Sequence, residues 1–195
     1  MFTKASNKIA EKLIFMQIVS NEDKEIYAYG INRVLTIVLN VAATLILGII
    51  YGRVYEAALF FTAFILLRSY SGGYHASTPM KCYVFTVLLI TTILSVMKFV
   101  SVHKYVCFGL SLLSDIIIIL LSPNEAKNKP LDAIERIIYK RKTVIILCIE
   151  LIIIFISFRL NNIETYSSLM LVHITIAISL TFSSIKMHNF DRTLH

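Results

Sequence analysis

Proline and glycine are scarce in this 195-residue chain: three Pro and six Gly leave it few places to turn. Charge is scarce too, at 16% of residues where a soluble domain carries about 25%. Cysteine is limited to three residues, with Cys107 and Cys148 inside apolar runs and Cys82 at the edge of one. That is no disulfide framework. These shortages exclude a disordered tail and a disulfide-rich secreted module. What is abundant is apolar surface: 57% of residues, with a mean hydropathy of +0.75, against about 45–50% apolar in soluble domains. The core of so short a chain cannot absorb that excess, so a soluble cytosolic enzyme is excluded as well. The composition predicts an all-α integral membrane protein.

Nineteen Lys+Arg against twelve Asp+Glu give a formal charge of +7, packed into the few segments that are not apolar. No RNA- or DNA-binding motif sits among these residues, so nucleic acid is not an expected partner. The charge reads as positive-inside topology with attraction to anionic lipid. The first 20 residues are interrupted by charge before an apolar core forms and do not read as a signal peptide. They predict an amphipathic helix instead. Phe2, Ala5, Ile9, Leu13 and Met16 recur at steps of three and four, away from Lys4, Lys8, Glu11 and Lys12. Such a helix either lies in the membrane interface or docks on the rest of the protein.

Six apolar stretches follow: Val34–Tyr51, Tyr55–Leu67, Tyr83–Met97, Tyr105–Leu121, Val144–Phe158 and Ser168–Phe182. A full crossing takes about 20 residues, and the second stretch, with 13, is the shortest. It is expected either to be re-entrant or to continue into Ser69–Gly73 as a polar-ended helix. Charge arbitrates. With a cytoplasmic N-terminus and six crossings, fifteen Lys and Arg fall inside. Only Arg53, Lys98, Lys104 and Arg159 fall outside. Removing the second crossing would put the six basic residues of 122–143 on the opposite side from the N-terminus, against the positive-inside rule. The expected organisation is a single membrane domain over 1–195, both termini cytoplasmic. Residues 1–30 form the interfacial helix and its connection, and 31–121 the first four spans with a functional loop at 68–82. A basic cytoplasmic loop covers 122–143, and 144–195 hold the last two spans and tail.

Asp115 and Glu150 fall within apolar runs, where an ionisable group is costly and faces the bundle interior or a polar cavity. They belong either to a transport pathway, to the support of a catalytic group, or to a buried interhelical hydrogen bond. No internal repeat supports an inverted-repeat transporter. His103, His173, His188 and His195 have no motif partner and read as structural or solvated. No Gly-xxx-Gly pair marks a self-association face, which leaves a homo-oligomer open.

The densest polar segment beside a membrane span is Arg68 to Cys82. It contains the ingredients of a cysteine nucleophile: a thiol, an imidazole at His75 able to take its proton, and positive charge at Arg68 and Lys81. Gly72 and Gly73 let the backbone approach a substrate closely, and their N–H groups are candidate oxyanion donors. In an unbroken helix His75 and Cys82 would stand about 10.5 Å apart along the axis, too far for a hydrogen bond. Pro79 disfavours helix at Thr78, so a break there permits Cys82 to fold back toward His75. The alternative on the residues alone is a solvated loop histidine and a packed thiol. Two ligands are too few for a metal centre, and no cofactor is expected.

Arg68, Gly73-Tyr74-His75-Ala76 and Cys82-Tyr83, with Arg, His and Cys at successive spacings of seven, resemble the accessory gene regulator B (AgrB) family of membrane-embedded cysteine endopeptidases. A second block is similar to that family's basic loop between the fourth and fifth spans: Ser122-Pro123-Asn124-Glu125-Ala126-Lys127-Asn128-Lys129-Pro130-Leu131, then Tyr139-Lys140-Arg141-Lys142. It departs from the members that carry an unbroken lysine run where this chain has Lys127-Asn128-Lys129. The resemblance implies a multi-pass protein of the bacterial cell membrane that processes an AgrD-type quorum-sensing propeptide, with the catalytic loop on the cytoplasmic side. Cys82 would be the nucleophile and His75 its general base. Expulsion of the propeptide's acidic tail would leave a thioester that closes to a thiolactone or lactone ring. Arg68, Gly72 and Gly73 would support the pair, and Lys127, Lys129, Lys140, Arg141 and Lys142 would attract the acidic tail. Ser77, Asp115 and Glu150 are candidates for a third catalytic residue by type only. Two readings from other classes compete. One is a small transporter lined by Asp115 and Glu150, the other a purely regulatory membrane subunit in which no single polar residue is essential for chemistry.

Overall fold

The computed structural model describes residues 2–72, 79–99, 104–124 and 131–192, and among these every regular element is a helix. The order is α1 (Thr3–Phe15), α2 (Lys24–Tyr51), α3 (Val54–Ser71), α4 (Pro79–Phe99), α5 (Lys104–Leu121), α6 (Ala133–Arg159) and α7 (Ile163–Arg192). Each of the six apolar stretches lies inside one helix of α2 to α7, so hydropathy located the elements correctly. The ends follow local chemistry. The helix α2 stops at Gly52, whose φ of +67° is the left-handed conformation that closes a helix at little cost for glycine. Pro79 opens α4, where a missing N–H costs nothing. Asp132 and Glu135 form a reciprocal capping box at the start of α6. The short second stretch sits in an 18-residue helix that continues through Arg68 to Ser71.

Side-chain contacts show that α2 to α7 run alternately up and down. At one end Tyr51 Oη lies 2.9 Å from Ser95 Oγ, and Tyr55 Oη 2.9 Å from Thr165 Oγ1. There the ring of Phe158 also packs on Tyr105 and Tyr166, with centroids 5.8 and 5.6 Å apart. At the opposite end Arg68 meets Ser179, Tyr70 meets Tyr139, and Asn124 meets Ser184. The long helix α7 is the hub. It packs on α3, α5 and α6, and its Leu169, Met170, Ile176 and Leu180 join Phe60, Phe64 and Leu67 of α3, Ile118 of α5 and Leu147 and Ile154 of α6 in one buried cluster.

The outer faces are as apolar as the interior. Ile46, Ile49 and Ile50 of α2, Leu113 and Leu120 of α5, and Ile149, Ile152 and Phe155 of α6 are exposed by half or more. A soluble bundle does not tolerate contiguous faces of this kind, whereas in lipid they cost nothing, and packing and polar contacts hold the helices together instead. Among the described residues three helical segments, Lys24–Tyr51, Met80–Phe99 and Ile163–Ile185, are long and apolar enough to cross a membrane.

The first helix docks differently from its apolar stripe. The residues of α1 that are buried are the small ones, Ser6 and Ala10, while Ala5, Ile9 and Met16 of the stripe are exposed and Leu13 is half-buried. Small side chains allow the close approach to α2, where the Phe2 N–H donates to Asn32 Oδ1 at 3.4 Å and Lys24 pairs with Glu11 at 3.0 Å. Most of the stripe is thus left facing away from α2.

Candidate functional site

Arg68, Cys82 and the basic start of α6 meet at one end of the bundle. Arg68 lies in the last turn of α3, with its guanidinium 5.5 Å above the Phe64 ring and Nη1 donating to Ser179 Oγ of α7 at 3.1 Å. It also interacts electrostatically with Cys82, which sits in the first turn of α4, half-buried and unoxidised. Thr86 Oγ1 donates to the Cys82 carbonyl at 3.0 Å and fixes that turn. Arg68 and Cys82, fourteen positions apart in sequence, thus approach each other across the ends of α3 and α4. His75, Gly73 and Ser77 lie outside the described residues, as do Lys127 and Lys129. Before His75 the chain is anchored at Gly72, and after it α4 begins at Pro79.

The Gly72 anchor is a contact with the basic loop. Asn124 N–H donates to the Ser71 carbonyl at 3.0 Å, and Gly72 and Asn124 form an isolated parallel bridge. Asn124 Nδ2 in turn donates to Ser184 Oγ of α7 at 3.1 Å. Gly72 has φ +79°, and a Cβ there would run into the Asn124 carbonyl oxygen and stand 3.1 Å from its carbonyl carbon and nitrogen. Only glycine fits, because the backbone is left-handed and the neighbour is itself backbone. Gly72→Ala should therefore destabilise the protein by about 1–3 kcal/mol, read as a lower unfolding midpoint in detergent. Asn124→Ala, which keeps the backbone bridge, should cost about 1 kcal/mol.

The basic residues divide into two kinds. Lys140 is half-buried, and its ammonium donates to the Ser122 carbonyl at 2.8 Å and to the Ile119 carbonyl, capping the open C-terminus of α5. Burial holds its pKa below the ordinary lysine value. Lys142 is exposed, with Nζ 4.9 Å above the Tyr70 ring, and Arg141 is exposed beside it. Lys140 thus has a structural task that the sequence did not reveal.

A second polar cluster lies in the middle of the bundle. His173 of α7 is fully buried, with Nδ1 2.6 Å from Asp115 Oδ1 of α5 and Nε2 3.1 Å from Glu150 Oε2 of α6. Ser111 Oγ stands 3.4 Å from Nδ1. The two acids are thus an interhelical assembly around one imidazole. Of the two expectations for His173, structural or solvated, its full burial excludes the second, and residues 115, 150 and 173 meet because α5, α6 and α7 pack side by side. The available signal was that each is a lone polar group in a long apolar run.

A helical bundle with lipid-compatible outer faces and helices long and apolar enough to cross a bilayer is that of an integral membrane protein. The accessory gene regulator B family model matches residues 4–187, nearly the entire chain, and the chain belongs to that family. It is similar to AgrB-like protein 2 of Clostridium perfringens (strain 13 / Type A), 29% identical over 139 residues that cover 67% of this chain and 64% of that one. It is also similar to the accessory gene regulator protein B of Staphylococcus saprophyticus, 31% identical over 119 residues, 61% of this chain and 60% of that one. The matched region thus spans less than two thirds of these curated relatives. No solved structure matches the chain.

Proposed function

We propose that this protein is a membrane-embedded cysteine endopeptidase that removes the C-terminal tail of an AgrD-type quorum-sensing propeptide in the bacterial cell membrane. The observation that carries the reading is Cys82 on the first turn of α4 beside Arg68, at the end of the loop that holds His75, in a chain of this family. His75 takes the Cys82 proton, and the thiolate attacks the carbonyl that joins signal segment to tail. The tail amine leaves with that proton, giving an acyl-enzyme thioester. A Cys or Ser side chain of the propeptide then attacks the thioester, releasing a thiolactone or lactone and the free Cys82 thiol. Thiol exchange is nearly isoenergetic, so ring closure prevails over hydrolysis only where water is excluded. A site at the membrane edge supplies that condition.

In this reading all six helices α2 to α7 cross the bilayer, both termini are cytoplasmic, and the Arg68–Cys82 end faces the cytoplasm. The alternation of the helices and the bias of basic residues support this topology. At about 40 Å, α6 is long enough to cross and to carry its basic first turns beyond the membrane. The exposed Arg141 and Lys142, with Lys127 and Lys129, attract the propeptide's acidic tail, while Lys140 caps α5. Replacing Arg141 and Lys142 together by Ala should raise KM several-fold with kcat kept, and the defect should shrink as salt is added, because exposed charge pairs are screened. Steady-state cleavage at two ionic strengths checks this.

The test of the whole reading is mass spectrometry on wild type and Cys82→Ser in liposomes with the propeptide encoded beside the gene. Tail loss with wild type alone, with a thiol-sensitive adduct on Cys82, establishes it. An intact propeptide with both proteins, under conditions where a known family member cuts its own substrate, overturns it. A transport reading draws on the buried cluster around His173. It predicts the reverse pattern, in which Asp115→Asn and Glu150→Gln abolish transport and Cys82→Ser does not.

A further inference from the structure

We propose that Asp115, His173 and Glu150 form a binding site for one exchangeable proton inside the membrane, in addition to the two protons of an imidazolium. The argument rests on geometry and charge and is independent of the peptidase reading. His173 lies ten residues into α7 and Glu150 near the middle of the apolar run of α6, so the cluster sits about 15 Å below the helix ends, near the centre of a bilayer. Its side chains are 0, 7 and 6% exposed for His173, Asp115 and Glu150. Both ring nitrogens face a carboxylate, and an imidazole can donate in both directions only as imidazolium. Imidazolium with two carboxylates still leaves one net negative charge.

Among the described residues no Lys or Arg pairs with the cluster to cancel it. From the packed helices, α5 presents Asp115 and Ser111, α6 presents Glu150, and α7 presents His173. On α3, Arg68 is engaged with Ser179 at one end of the bundle and Glu56 with Arg53 at the other. An uncompensated charge at this depth is strongly unfavourable, and a buried group neutralises instead. A second observation points to the same place: both Asp115 oxygens are buried, Oδ1 2.6 Å from His173 Nδ1, and neither makes a well-aligned hydrogen bond among the described residues. One added proton, shared between the carboxyls, makes the cluster neutral and gives that carboxyl a function. Ionisable groups at membrane depth serve in this way in proton relays.

Infrared spectroscopy of the full-length protein in lipid bilayers tests this, because a protonated carboxyl has a C=O band separate from that of a carboxylate. Wild type labelled with 13C-aspartate or with 13C-glutamate assigns the band without any substitution. The expected result is one protonated carboxyl at neutral pH that moves with one of the two labels and is lost as pH is raised. It should also be lost in Glu150→Gln or Asp115→Asn, and be indifferent to replacing sodium by choline. Absence of the band in wild type at neutral pH overturns the proposal, as does a band that survives both substitutions. Loss of the band on adding sodium at constant pH also overturns it, by making the site one for a metal cation.

Discussion

Replacing Cys82 by Ser or Ala should reduce propeptide cleavage by at least about 10³-fold, as loss of a nucleophile does in other acyl-transfer enzymes. The serine variant is the sharper test, since it keeps size and hydrogen bonding but its hydroxyl is a far weaker nucleophile than a thiolate at neutral pH. Folding should be untouched: Cys82 is half-buried in a helix end, and the bond that fixes its turn is accepted by its backbone carbonyl. His75→Ala should give the same loss for the other half of the reaction, with pre-formed thiolate rescuing part of it at alkaline pH. Both are measured by following tail release with mass spectrometry. A regulatory subunit with no chemistry of its own would show no effect of either change.

The largest effect on stability is expected at His173. Its imidazole stands between two carboxylates in the interior, and His173→Ala would leave both without a partner. Breaking a buried ion pair by removing one member costs about 3–5 kcal/mol, and here one residue serves two contacts between three helices. The variant should unfold at markedly lower denaturant, or require a lower pH at which both acids are protonated. His173→Gln, which can still donate one hydrogen bond, should recover part of the loss. A chemical unfolding series in detergent, run at two pH values, measures both. If the proposed proton site exists, Glu150→Gln should be much milder than His173→Ala, because it removes the extra charge together with the need to neutralise it.

The gain from seeing the fold differs between the two clusters. For the proposed thiol site, residue type together with the resemblance to the family already singled out Arg68, His75 and Cys82. The structure adds that Arg68 and Cys82 approach one another, and that the loop between them is tied to the basic loop through Gly72 and Asn124. For the interior cluster, the acids were visible as isolated charges in apolar runs, but their shared histidine was not. The lysines show the same limit. Lys140, Arg141 and Lys142 are indistinguishable as a basic run, yet one caps a helix, one is exposed and one stacks over an aromatic ring.

Local chemistry by itself determined that this chain is helical and lives in lipid, where the six long helices lie, and where several of them stop. Runs of apolar residues must satisfy their own backbone hydrogen bonds in a membrane, and only the helix does so within one segment. Proline, glycine and Asp132 then set boundaries through the conformations and donors of single residues. What only the tertiary structure decided is which polar groups meet. The contact of His173 with Glu150 spans 23 residues, that of His173 with Ser111 spans 62, and that of Arg68 with Ser179 spans 111. Such pairs depend on the order and rotation of packed helices. Those are set by which small and large side chains interlock across all the interfaces at once, and no stretch of sequence holds that information alone.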